Sequence, residues 1–320
     1  MPELRLNRLR EEWVAYASDR NERTFLPEDF CPLCPSGPGG DTEVPLADFE
    51  VVVFENRFPA FGPDRVDGRP VRPASTGCEV VVYTSEHTLT LTELPEERIR
   101  LLIDVWAERY RDLRSRAEVG YVYIFENKGV EMGVTLHHPH GQIYAMPFVP
   151  PVPALELRNA DGYRQATGRC LHCDEAEREA AGPRRVFEEG SMLAFVPHAA
   201  RWPYEVHVYP RRHATSIEAL DSDERWELSR ALLRVARAYD RNFGFSTPYV
   251  MAVHQAPTGG DDHRNLAHLH FEFYPPHRRT DRLKYLAGVE LGAGTWVNDT
   301  EPEQTALDLV RADQAEGEPA

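Results

Sequence analysis

The chain has 320 residues, 42% hydrophobic and 28% charged, which is the balance of an ordinary globular protein and not of a disordered or fibrous one. Its 36 Lys and Arg against 52 Asp and Glu leave a formal charge of −16, which argues against nucleic acid or an anionic membrane as main partner, since both call for a basic face. No window approaches the ~18 apolar residues of a membrane span, and the opening MPELRLNRLREEWVAYASDR is charged throughout where a signal peptide has an apolar core, so a cytoplasmic protein is expected.

In chain order, the first feature is a Cys-x-x-Cys pair, Cys31 and Cys34. Runs rich in Val, Phe and Tyr at 49–54 and 78–84 predict strands. After Pro95 a 3.6 period through Ile99, Leu102, Ile103, Trp106, Tyr110 and Leu113 predicts a helix, followed by a strand at 121–125 and another carrying His138-Pro139-His140. The next stretch, PFVPPVPALELRNADGYRQ, opens with clustered prolines, which neither donate to a sheet nor continue a helix, and it marks the boundary between two parts, 1–155 and 156–320.

The second part repeats the first. Glu79-Val80-x-Val82-Tyr83-x3-His87 returns as Glu205-Val206-x-Val208-Tyr209-x3-His213, with a Cys-x-x-Cys ahead of it, Cys170 and Cys173, and a His-x-His behind it, His268 and His270. Strands at 192–196, 204–209 and 249–253 are predicted, with a helix through Leu228, Leu232, Val235 and Tyr239 that starts in a capping box at Asp221 and Glu224 and ends at Gly244. The expected fold is α+β, two tandem halves of antiparallel strands with helices packed on one side. The last thirty residues, rich in Glu, Asp, Gly and Pro, read as a partly mobile tail.

Two Cys in one turn and two distant His form a Cys2His2 set whose thiolate and imidazole donors select zinc. The first set is Cys31, Cys34, His87 and His138; the second is Cys170, Cys173, His213 and His268, with His254, His263, His270 and Glu272 as rival ligands nearby. Two zinc ions per chain are therefore expected. Cys78 and His172 read as packing and surface residues. On a strand, His138, His140 and Gln142 share a side, so zinc on His138 leaves His140 as a free imidazole on an anchored backbone. Such an imidazole can attack phosphorus and be displaced again, with Gln142 bonding the phosphate oxygens.

Phe125-Glu126-Asn127-Lys128-Gly129 followed by His138-Pro139-His140-Gly141-Gln142 resembles the galactose-1-phosphate uridylyltransferase family, the tandem members of the histidine triad superfamily. The resemblance runs from Trp13 to about Leu309 and implies two histidine-triad-like halves. It implies that His140 is the uridylylated nucleophile, with Gln142 as its phosphate partner and Cys31, Cys34, His87 and His138 as structural zinc ligands. It further implies that Arg20 and Arg23 hold phosphate charge, that Asn56 and Asn127 hold the nucleotide, that Thr135 touches substrate, and that Lys284 and Glu290 contact the hexose. The implied reaction is ping-pong exchange of UMP between UDP-glucose and galactose 1-phosphate, in a homodimer whose sites take residues from both subunits.

The chain also departs from the pattern. Many members read HAHFYPP where this one reads His268-Leu269-His270-Phe271-Glu272-Phe273-Tyr274-Pro275-Pro276, and those members hold the second metal with a Glu and three His. Glu156 and His254 are available for that arrangement, whereas Cys170 and Cys173 fit the Cys2His2 alternative of the similar ADP-glucose phosphorylases. No Gln for the sugar is evident after Glu290. An ADP-glucose enzyme, a nucleotide hydrolase and, outside enzymes, a zinc-stabilised interaction module remain the rival readings.

Overall fold

The computed structural model describes residues 3–27, 29–61, 77–259 and 263–315. After a hairpin of β1 (Glu3–Asn7) and β2 (Glu12–Tyr16), the first half runs β3 (Val52–Glu55), β4 (Cys78–Val82), α1 (Glu96–Arg114), β5 (Tyr121–Lys128) and β6 (His140–Met146). Helices α2 (Pro151–Thr167) and α3 (Leu171–Ala180) lead to β7 (Arg185–Glu189), β8 (Met192–Phe195), β9 (Val206–Pro210), α4 (Ser222–Phe243), β10 (Tyr249–His254) and β11 (His270–Tyr274). A small pair, β12 (His277–Arg279) and β13 (Arg282–Leu283), and helices α5 (Gly288–Ala293) and α6 (Pro302–Gln314) close the chain.

Among the described residues the two halves form one antiparallel sheet of nine strands, ordered β3-β4-β6-β5-β10-β11-β9-β8-β7. They join where β5 pairs with β10, Asn127 opposite Val250. Apolar residues on alternate strand positions and the stripes of α1 and α4 bury a single core that crosses the join, with Trp106, Tyr110, Leu232 and Tyr239 within it. The two helices legible in the sequence thus cover the same face, as expected. Helix α3 covers part of the opposite face, packing Ala176 and Ala180 on Leu193, Phe195 and Tyr209.

The boundary stretch at 150–165 is helical: Pro150 precedes α2 and Pro151 and Pro153 occupy its first turn, where a missing N–H is harmless. Two expectations need correction. The last thirty residues hold α6, which buries Thr305, Ala306, Leu309 and Ala312; of the expected tail, 316–320 lie outside the described residues. Finally, the repeat in letters is one residue out of step with the repeat in structure. Gln142 pairs with Val80, but its counterpart Glu272 pairs with His207 and not Val206. A slip of one residue exchanges the faces of a strand, so Val80 and Val82 turn away from α1 whereas Val206 and Val208 turn into the helical core.

Candidate active site and metal centres

In the first half, the Cys-x-x-Cys turn and the bend ahead of β6 meet. One ligand atom from each of Cys31, Cys34, His87 and His138 lies within 4.8 Å of the others. Cys34 Sγ is 3.4 Å from His87 Nδ1 and 3.5 Å from His138 Nδ1. The buried His138 donates from Nε2 to the Thr84 carbonyl at 2.7 Å, which leaves the Nδ1 lone pair facing the sulfurs. Burial and the neighbouring Cys31 push the Cys34 thiol up to about 11, a repulsion that a dication relieves. The donor set and its tautomers therefore fit a tetrahedral metal.

Strand β6 starts at His140, so His138 stands in a bend before the strand and not on it, and only His140 and Gln142 share a strand face. His140 donates from Nδ1 to the His138 carbonyl at 2.8 Å. Since a carbonyl only accepts, Nε2 carries the lone pair, and no described residue bonds it. Burial lowers the pKa of His140 below the ordinary histidine value, so the ring is neutral at pH 7. It borders a cleft of about 300 Å³ lined by Arg23, Phe54, Asn56, Thr135, Gln142 and neighbouring residues. Gln142 Oε1 accepts from Asn56 Nδ2 at 3.4 Å and from the Tyr144 hydroxyl at 3.2 Å, which turns its NH2 group outward as a donor.

The other expected substrate residues are distributed unevenly. Arg20 stands behind the cleft, donating to the Phe58 carbonyl at 3.1 Å and the Tyr144 hydroxyl at 3.3 Å. Asn127 lines a smaller cavity of about 60 Å³ that also reaches His140. Lys284 and Glu290 are absent from both cavity linings, and they pair with each other at 3.2 Å beyond β13.

The second half assembles two donor sets. Cys170, Cys173, His213 and His268 converge, with Cys173 Sγ 3.5 Å from His213 Nδ1 and 3.6 Å from His268 Nδ1. His268 and His213 turn Nε2 to the carbonyls of Pro210 and Arg264, repeating the tautomer of the first set. The rival ligands Glu156 and His254 form a separate group with His270 and Glu272. His254 is 2.9 Å from Glu156, and although burial opposes it, the charges of Glu272 and Glu156 raise His254 to about 9. His270 bonds the His268 carbonyl as His140 bonds that of His138, yet its Nε2 lies 3.4 Å from Glu272. The histidine of the second half is thereby occupied.

Residues 1–150 match the family model described as galactose-1-phosphate uridyl transferase, N-terminal domain, and residues 156–315 match its C-terminal domain. The chain belongs to the galactose-1-phosphate uridyl transferase family. It is 38% identical to the galactose-1-phosphate uridylyltransferase of Thermotoga maritima over 97% of this chain and 98% of that protein. The Streptomyces lividans protein of the same name is 43% identical over 80% of this chain and 72% of its own. A solved uridylyltransferase structure superposes with a TM-score of 0.89 at 36% identity, covering 99% of this chain and all of that one.

As a member of the galactose-1-phosphate uridyl transferase family, the chain is an enzyme, a transferase. Sequence reasoning missed Tyr144, which holds Gln142 and Arg20 together; the period of two along β6 placed it on the same face as His140. It also missed that both sets of second-half ligands assemble side by side, because which histidine joins which set is decided by strand register.

Proposed function

We propose that the chain exchanges UMP between UDP-glucose and galactose 1-phosphate in two half-reactions, carrying the uridylyl group on His140. What supports this most is His140 itself, with Nδ1–H tied to the His138 carbonyl and the Nε2 lone pair at the cleft. In the first half-reaction Nε2 bonds the α-phosphorus of UDP-glucose. The bond from that phosphorus to the bridging oxygen breaks, and glucose 1-phosphate leaves with the electron pair. In the second, a phosphate oxygen of galactose 1-phosphate attacks the same phosphorus, the N–P bond breaks, and its pair returns to Nε2. Arg23 and, behind it, Arg20 offset phosphate charge, and the outward amide of Gln142 donates to the oxygens on which charge develops. Asn56, Asn127 and Thr135 hold the nucleotide.

Zinc bound by Cys31, Cys34, His87 and His138 would supply a rigid anchor for the bend that carries His140, and Cys170, Cys173, His213 and His268 would hold a second zinc. Lys284 and Glu290 are assigned to the hexose of a partner subunit's site, in a homodimer. The segment that carries them exposes Tyr285 (73%), Leu291 (63%) and Val297 (52%), an apolar surface suited to a second copy. The cytoplasm, where thiols stay reduced, suits the two cysteine pairs. Among the described residues no helix is long and apolar enough to cross a membrane.

Intact-mass measurement after incubation with UDP-glucose tests the reading: an acid-labile uridylyl adduct on His140 is expected. The assembled second Cys2His2 set also suits an ADP-glucose phosphorylase-like adenylyltransferase. The specificity constant for UDP-glucose with galactose 1-phosphate should exceed that for ADP-glucose with inorganic phosphate, and the reverse order would give the site to adenine.

A further inference from the structure

The face of the sheet behind His140 carries a buried acid that the reaction scheme leaves unused. His140 and Gln142 face the cleft, so Gly141 between them faces α1. A Cβ on Gly141 would stand 2.3 Å from the Tyr83 hydroxyl and 3.1 Å from the Phe125 carbonyl, so the position has to be glycine for the tyrosine to fit. The Tyr83 hydroxyl donates to Glu126 Oε2 at 3.3 Å, and the Tyr83 amide donates to the Pro139 carbonyl at 3.1 Å. Tyr83 therefore grips the chain on both sides of His140. Both residues are buried, and among the described residues the titratable groups that face Glu126, besides Tyr83, are Lys128 on its own strand, Tyr249 from β10 and, beyond Lys128, Asp240 from α4.

The duplication supplies an internal comparison. Gln142 pairs with Phe125 and Val80; its counterpart Glu272 pairs with Ala252 and His207. Counting along the strands from these pairs, Gly141 corresponds to Phe271, Glu126 to Val253 and Tyr83 to Pro210. Phe271 and Val253 pair directly in the apolar core. The same framework is thus built once with the Tyr-Glu-Gly set and once with apolar residues in its place, so folding does not call for the acid. Burial pushes the Glu126 carboxyl up to about 7 against the pull of Lys128, a cost that valine avoids in the other half. The set stands behind the histidine whose Nε2 is free and is missing behind the one occupied by Glu272.

We propose that Glu126 and Tyr83 are positioning residues that hold the Pro139-His140-Gly141 backbone, and with it the His140 imidazole, in line for attack on phosphorus. This rests on the reading of His140 as the nucleophile. The experiment compares the full-length chain with Glu126→Val, which copies Val253, with Tyr83→Phe, with the double variant, and with Glu126→Gln, which keeps an acceptor for the tyrosine. Single-turnover formation of the adduct from UDP-glucose is measured together with KM, metal content and Tm. Glu126→Val and Tyr83→Phe should each slow adduct formation by about tenfold or more, as misplaced reacting groups do, with KM within about threefold of the unsubstituted chain and metal content unchanged. The double variant should be no slower than either single one, since the two act as one device. Glu126→Gln should restore most of the rate. Unsubstituted rates in both Glu126→Val and Tyr83→Phe overturn the proposal, as does a loss in all variants that tracks lost metal or a lowered Tm. If the unsubstituted chain forms no adduct, the nucleophile reading falls and this one with it.

Discussion

Two histidines two positions apart present different ring nitrogens to their surroundings, because the other nitrogen of each is spoken for. His138 spends Nε2 on the Thr84 carbonyl and turns Nδ1 to the sulfurs; His140 spends Nδ1 on the His138 carbonyl and turns Nε2 to the cleft. His140→Asn should therefore abolish adduct formation while metal content and Tm stay close to those of the unsubstituted chain. His138→Asn should lower both, and a variant pair with these outcomes exchanged would reverse the assignment. The pH dependence follows from the same residue. Burial lowers His140, so its neutral, nucleophilic form persists below the ordinary pKa near 6.5 and is lost only as pH falls further. The single-turnover rate should hold constant from pH 8 down to about 6.5 and decline on the acid side; a decline starting well above 6.5 would mean that His140 is not held neutral.

At the scale of elements, α6 shows where composition misleads. Its surroundings are acidic and rich in Gly and Pro, yet Ala306, Leu309 and Ala312 fall on one helical face and pack into the common core, and Asp313 Oδ2 takes an ion pair from Arg234 of α4 at 2.7 Å. Leu309 is 1% exposed, so Leu309→Ala should cost about 2–5 kcal/mol of unfolding free energy by urea titration. A change within about 0.5 kcal/mol would mean that α6 frays in solution. Glycine at 129 is another element-scale requirement: φ is +88°, and a Cβ there would meet the Pro248 side chain at 2.6 Å, where β5 turns beside the second half. That glycine was legible in the FENKG motif, but its contact with Pro248 was not, because the partner lies 119 positions away in the chain.

At the scale of the whole molecule, the halves share one sheet and one core, while Lys284 and Glu290, proposed for the hexose, line neither cavity at His140. If a second copy completes the site, mixing His140→Asn with Glu290→Ala should restore activity that neither variant has alone. In a mixed dimer one site then combines an intact His140 with an intact Glu290. No recovery after subunit exchange would place the hexose contacts within one chain. Elemental analysis of the purified protein should find about two zinc ions per chain, one for each Cys2His2 set. One zinc, or iron in place of the second, would favour the group formed by Glu156, His254, His270 and Glu272.

The sequence by itself determined some of the elements and the chemistry that neighbouring residues carry: the periods of α1 and α4, the donor types in the two Cys-x-x-Cys sets, the His-x-His-x-Gln run and the FENKG turn, all of them patterns within a few residues. The tertiary structure decided what depends on register and on distance along the chain. Strand pairing put His207 and not Val206 opposite Glu272, separated His268 from His270 into different donor sets, and seated Tyr83 and Glu126 behind Gly141. A one-residue slip sends every side chain of a strand to the other face, and such a slip is invisible when two strands carry the same letters.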